Sequence, residues 1–138
     1  MKQGAGALLV LPDGRLVLQR RTKDAPTGAG KLSFFGGIVE SGEAPLVAAK
    51  RELKEETDLP IDSLEFVLAA VVVTPKDEGS DELWQANIFR VGIESMDFQV
   101  FEGDRAEAYS VEEAVKRQDL TIIARNIFAK LFGGKHGA

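Results

Sequence analysis

The stretch "GGIVESGEAPLVAAKRELKEETDL", Gly36 to Leu59, decides how the rest of the chain is read. Pro45 suits the first turn of a helix, where its missing N–H would have had no partner. From there to about residue 57, Leu46, Ala49 and Leu53 fall on one stripe, which predicts a helix with that stripe toward the core. At 100° per residue, Glu52, Glu55 and Glu56 share an arc of about 100°. Lys50, Arg51 and Lys54 fall elsewhere on the wheel. Helix neighbours lie three and four apart, so Glu52 meets Ala48, Ala49, Glu55 and Glu56 and no cation. Only Glu55 has one nearby, Arg51. Each like-charge pair costs about 0.2–0.5 kcal/mol, and a helix selected only for solubility would interleave its signs. The face needs a counter-charge from elsewhere, and a divalent cation bound by carboxylate oxygens supplies one.

Upstream, "AGALLVL", "PDG" and "RLVLQRR" read as two strands around a tight turn. "TKDAPTGAGK" is a polar, glycine-rich loop, and "LSFFGGIVESGE" a short strand running into a glycine-bearing loop. Downstream, "LEFVLAAVVVT" is β-branched and alternates little, which predicts a buried strand. "LWQANIFRVGI" is another strand, and "FEGDRAEAYS" a strand or loop. "SVEEAVKRQ" carries a capping box between Ser110 and Glu113. "LTIIARNIFAKLF" is a closing amphipathic helix ended by Gly133-Gly134. The order hairpin, helix, strands, helices predicts an α/β domain with a mixed sheet, one domain over 1–138.

Composition narrows the chemistry. There is no cysteine, which excludes disulfides, thiolate metal sites and thiol nucleophiles and fits a reducing, cytoplasmic compartment. The single histidine, His136, sits in a tail expected to fray, so zinc–histidine and Ser-His chemistry have little to work with. The longest apolar run, Phe66 to Val73, is too short to span a bilayer, and the N-terminal stretch does not read as a secretion signal. A net charge of −5 argues against a nucleic-acid partner but admits a small phosphorylated substrate if a cation bridges the like charges.

Gly37, five residues, Glu43, seven residues, Arg51-Glu52-Leu53, Lys54, Glu55-Glu56, Thr57, Asp58, Leu59: this spacing closely resembles the signature of the Nudix hydrolase family. The resemblance implies a Nudix-type α/β/α sandwich. It implies that Glu52, Glu55 and Glu56, with the backbone carbonyl of Gly36, hold Mg²⁺, for which Mn²⁺ can substitute. Gly37, Glu43 and Arg51 then have structural roles, the last two as an ion pair that folds the loop onto the helix. Glu40 reads as loop structure or an outer contact. Glu52 and Glu102 are both candidate general bases, Glu102 because MutT-like members often place a further glutamate in that region. Two positions depart from the pattern. Asp58 stands where the signature has glycine, which suggests a left-handed helix cap held by aspartate at a small stability cost. Phe35 stands where many relatives have proline, leaving the glycine loop less constrained.

The implied reaction is hydrolysis of a nucleoside diphosphate linked to another group, with a small-molecule nucleotide as partner. Arg20 and Arg21 end the second strand on opposite faces, so one of them can reach a phosphate. Phe34, Phe35, Trp84 and Phe89 are candidates to stack on a base, against the ordinary alternative of core packing. The short chain resembles MutT-like nucleoside triphosphate hydrolases. Pro75, beyond the box, resembles a mark of ADP-ribose hydrolases and leaves a nucleotide-sugar pyrophosphatase as the second reading. A nucleotide-sensing module without catalysis is the third, and the intact carboxylates argue against it. The isomerase branch uses a cysteine and is set aside. Neither the oligomeric state nor the exact nucleotide is encoded in any of these motifs.

Overall fold

The first strand, β1 (Lys2–Val10), deals its side chains alternately to two cores in a computed structural model that describes residues 1–133. Leu8 joins Leu18, Phe34, Ile88, Ile127 and Phe128 on one face. Ala7 and Leu9 join Val17, Phe35, Leu53 and Val91 on the other. This period of two makes β1 the middle of a three-layer molecule.

The remaining elements are β2 (Leu16–Arg20), β3 (Leu32–Ser33), β4 (Phe35–Ile38), α1 (Pro45–Glu56), β5 (Phe66–Pro75), β6 (Leu83–Gly92), β7 (Arg105–Tyr109), α2 (Val111–Lys116) and α3 (Ile122–Phe132). The path through the sheet is β3-β2-β1-β6-β5, with β4 paired to β1 and β7 to β2. β1 runs parallel to β6 and antiparallel to β2 and β4, so the sheet is mixed. α1 packs on β1 and β4, and α3 packs on β5 and β3 across the sheet. The result is an α/β/α sandwich of the class that the element order predicts. Its boundaries follow local chemistry. Ser110 and Glu113 form the reciprocal capping box of α2, and Gly133 ends α3 at φ 97°. Gly134 and His136 lie outside the described residues.

Three expectations need correction. Leu46 is 37% exposed, and Ala48, Ala49, Leu53 and Glu56 make the buried stripe of α1 instead. The sheet sits one step round the helix from the stripe a purely apolar reading selects, and it buries a glutamate. β5 is an edge strand paired only with β6, and Val67, Leu68, Val71 and Val73 are exposed. An uncharged β-branched run has the same composition at an edge as in the centre, so periodicity alone cannot place it. Asp58 is not left-handed, since every described residue with positive φ is glycine. Thr57, extended at φ −143°, ends α1, and its hydroxyl donates to the Leu53 carbonyl at 2.9 Å. The Asp58 carboxylate instead accepts from the Gln99 N–H at 2.7 Å.

No helix among the described residues is long and apolar enough to cross a membrane.

Candidate active site

Arg51 organises the junction of the glycine strand and α1. Its Nε and Nη2 grip the two Glu43 oxygens at 2.8 and 2.9 Å, and Nη2 also donates to the Ile38 carbonyl at 3.0 Å. This fork-on-fork pair ties the loop after β4 to the helix. It holds the Glu43 carboxyl well below the usual carboxylate range, at about 2. Glu40 stands further out: its backbone N–H donates to Glu43 Oε1, and its carboxylate is 3.8 Å from Arg51. The wheel left Glu52 without a cation, and here the structure differs. Arg51 Nη1 donates to Glu52 Oε2 at 2.6 Å and reaches Glu55 Oε1 at 3.3 Å. A long guanidinium bends back along the helix to its sequence neighbour, which neighbour rules for short contacts omit.

The two glycines serve different close approaches. A Cβ on Gly36 would stand 2.3 Å from the Ala5 carbonyl oxygen, inside the β1–β4 pairing. A Cβ on Gly37 would stand 2.3 Å from Glu52 Oε1. Gly36 and Gly37 lie in β4, paired to β1, so Phe35 begins a strand and does not loosen a loop.

Glu56 is the unusual group. It is 4% exposed, and its Oε1 is buried with no hydrogen-bond partner among the described residues. Burial, then the charges of Glu52 and Glu102, push its carboxyl up to about 9, against the opposing pull of the Gly36 amide and Arg21. Burial also raises Glu52, with Arg51 opposing it. Glu52, Glu56, Glu102 and Arg21 border one cavity of about 320 Å³. Glu56, Glu102 and Arg21 also border an adjoining cavity of about 250 Å³. Glu102 arrives from a distant loop. The Phe101 N–H donates to the Glu56 carbonyl at 2.6 Å, and Gln19 Nε2 donates to the Glu102 carbonyl at 2.7 Å. Gly103 follows at φ +90°, where a Cβ would stand 2.7 Å from Gln19 Nε2. Among the described residues, no three acidic, histidine or cysteine side chains converge into a ready-made metal cage, since Arg51 draws Glu52 and Glu55 toward itself.

Other candidates separate cleanly. Arg20 is held by Glu107 at 2.7 Å and Asp119 at 2.8 Å, and it borders neither cavity. Glu107 comes from β7, paired to β2, and Asp119 from the segment between α2 and α3, so the Arg20 guanidinium is already held in a structural ion-pair network. Arg21 borders both cavities, with Nε donating to the Thr27 carbonyl at 2.7 Å. Glu55 borders neither cavity and is half exposed. Phe34 contributes to the wall of the larger cavity but is 6% exposed and packs edge-on against Phe128 at 5.5 Å. Phe35 and Phe89 pack on Phe98 and Phe66 away from the cavities. Trp84 borders the larger cavity, beside Gly4.

Sequence reasoning missed Gln19, Lys76 and Glu82. No local pattern marks Gln19, whose partner is 83 residues away. For Glu82 there was a signal: it stands two residues before Trp84 at the entry to β6, where extended backbone sets such neighbours on one side.

The family model described as NUDIX domain matches residues 1–131. An oxidized purine nucleoside triphosphate hydrolase of Danio rerio is 34% identical over 109 residues, covering 73% of this chain and 57% of that protein. The chain thus spans little more than half the length of that relative. The crystal structure of a MutT protein from Methanosarcina mazei Go1 superposes with a TM-score of 0.79 at 23% identity, over 95% of this chain and 92% of that one, a likeness of fold. That of a MutT NUDIX hydrolase from Burkholderia pseudomallei gives 0.74 at 27% identity, over 94% and 97%. With the family model matched across nearly its whole length, the chain belongs to the NUDIX domain family.

Proposed function

We propose that residues 1–138 form one cytoplasmic domain that hydrolyses the diphosphate linkage of a small nucleotide, a nucleoside triphosphate first, with Mg²⁺ as cofactor and Mn²⁺ able to substitute. The observation that carries this reading is the gathering of Glu52, Glu56 and Glu102 around one cavity with Arg21, where the Glu56 carboxyl is pushed up to about 9. A buried carboxylate with an orphan oxygen is a costly arrangement unless a cation completes it. Carboxylates and a backbone carbonyl are the hard oxygen donors that Mg²⁺ takes. Glu52 and Glu56, with the Gly36 carbonyl, would hold the ion, and Glu55 would join them from the same side of α1. When bound, the ion supplies charge neutralisation of phosphate oxygens and a lowered pKa for water.

The chain's own residues divide the remaining work. Arg21 presents N–H donors to phosphate oxygens. Glu52 is already engaged by Arg51, so Glu102, which faces both cavities, is our choice to take the proton of the attacking water on a carboxylate oxygen. The new bond is water oxygen to phosphorus, and the broken bond is phosphorus to the bridging oxygen. The name of the Danio rerio relative supports a triphosphate substrate. Pro75 gives the nucleotide-sugar reading little weight, because it closes β5 opposite Leu83 and has a structural reason to be there.

The test is turnover of a nucleotide panel in ¹⁸O-labelled water with Mg²⁺ and then Mn²⁺. Label is expected in the nucleoside monophosphate or in the released phosphate species. Label in a sugar hydroxyl, or no turnover of any nucleotide, refutes the reading.

A further inference from the structure

The end of the larger cavity away from its carboxylates has its own chemistry. Its floor is made by what β1 and β6 lack. Gly4 and Gly6 bring no side chain, Ala86 brings a methyl, and Ile88 closes the strip. A Cβ on Gly4 would touch Trp84 Cε3 at 3.4 Å, so the indole lies directly over bare backbone. The product is a flat apolar slot, shaped for a planar ring. Most polar side chains around this slot are already committed. Ser33 pairs with the Thr121 hydroxyl at 3.0 Å, and the Thr27 hydroxyl takes a 3.4 Å contact from Arg21. The Trp84 indole N–H donates to Glu82 Oε1 at 2.8 Å, and this bond keeps the Glu82 carboxyl below its ordinary range.

Lys76 is different. It borders the cavity, and its Nζ stands 3.7 Å from the same Glu82 Oε1. The Lys76 N–H also donates to the Glu82 carbonyl at 2.9 Å, which fixes the two residues across the hairpin between β5 and β6. One carboxylate oxygen thus positions both an aromatic plane and an ammonium at the cavity mouth. The ammonium has three donors and no acceptor, and Glu82 uses one of them at most.

We propose that Trp84 and Lys76, positioned together by Glu82, read the nucleobase: the indole stacks on the ring, and the ammonium donates to an exocyclic carbonyl oxygen. The proposal rests on the nucleotide reading above. Its selectivity follows from the donor count. A base whose edge carries a carbonyl, such as guanine, gains a charge-assisted hydrogen bond. Adenine presents an amino group at the same place, and that amino group meets another donor. A site built to donate rejects the analogue that cannot accept. Lys76 and Trp84 are specificity-determining residues, and Glu82 is a positioning residue that acts through them.

Trp84 is the only tryptophan in the chain, so its fluorescence reports the slot without any need for turnover. The experiment titrates the full-length protein with the α,β-methylene triphosphates of guanosine and adenosine, followed by indole quenching. The wild-type protein is expected to bind the guanine analogue about tenfold more tightly. Lys76→Met should bring the ratio of the two Kd values close to one, chiefly by weakening guanine. Glu82→Gln keeps an acceptor for the indole but loses the charge beside Lys76, so it should narrow the ratio while quenching persists. A wild-type ratio near one, or a ratio unchanged in Lys76→Met, overturns the base reading while quenching by both analogues leaves the nucleotide reading standing. Absence of quenching by either analogue overturns the base reading, and absence of turnover on every nucleotide as well overturns the reading beneath it. Lys76 and Glu82 sit in an exposed hairpin, and unchanged melting temperatures confirm that the variants fold.

Discussion

The side-chain amide of Gln19 donates to the backbone carbonyl of Glu102 at 2.7 Å, across 83 residues of sequence, and Gln19 is 3% exposed. A buried amide on a rigid strand therefore fixes the loop that brings Glu102 to Glu56. Gln19→Leu keeps the volume and removes the donor. It should lower kcat roughly tenfold, in the range seen for outer partners of catalytic groups. The decisive measurement is a double-mutant cycle: in a Glu102→Gln background, Gln19→Leu should add little. Full additivity would mean that Gln19 acts elsewhere.

Glu56 ties stability to pH in an unusual direction. Its folded pKa, about 9, lies above the ordinary carboxyl value of 4.5. A raised folded pKa means that the folded state holds the proton more tightly. Its stabilising contribution is complete below about 4.5 and is lost as pH climbs toward 9. In metal-free buffer, Glu56→Gln should melt higher than wild type above neutrality, and the gap should close toward pH 4.5. It should also lose most activity, because the amide keeps the shape and gives up the charge. A constant gap in melting temperature across this range would contradict the burial argument.

Glu43 works with the opposite sign. Its folded pKa, about 2, lies below 4.5, so the stability from its Arg51 pair is present above 4.5 and is lost as pH falls toward 2. Glu43→Gln should therefore flatten the acid limb of the melting curve over that window. An acid limb identical to wild type would show that the pair contributes nothing to folding.

Added Mg²⁺ should raise the melting temperature of the wild-type protein, since a ligand that binds only the folded form shifts the unfolding equilibrium. The rise should shrink in Glu56→Gln. Full activity in excess chelator would refute a metal-dependent reaction.

Asp58→Gly restores the residue of the family signature, and a left-handed cap would make it stabilising. The geometry predicts the reverse. Asp58 accepts the Gln99 N–H at 2.7 Å, and no positive φ is there to relieve. The lost hydrogen bond and the looser unfolded chain should together cost about 1 kcal/mol, read as a few degrees in thermal melting. A rise in melting temperature would reinstate the strain argument.

What the sequence made legible was local. Pro45 placed α1, the Ser110–Glu113 box placed α2, and Pro12-Asp13-Gly14 placed the first turn, because each acts within a few residues. The carboxylate face of α1 was visible for the same reason. The reach of Arg51 back to Glu52 was not, because the clamp to Glu43 and Ile38 that orients it needs the preceding strand. Alternation could say that Arg20 and Arg21 diverge, but only the acids of β7 and Asp119 decide which one is taken. β5 read as a buried strand because nothing in "FVLAAVVVTP" encodes that it has one neighbour.

The parallel pairing of β1 with β6 carries a consequence for how the molecule comes into being. Gln3 and Gln85 meet across 82 residues, and the slot floor is drawn from these same two strands. Closing so long a loop must precede any reward from the contacts it makes, and long-range pairing is slow. During synthesis the carboxylate helix is complete by Glu56, long before β6 leaves the ribosome. A nascent chain therefore carries its helix carboxylates early, and it gains the floor that seats a ring only once residues 84–92 align on β1, so nucleotide binding should appear late in refolding.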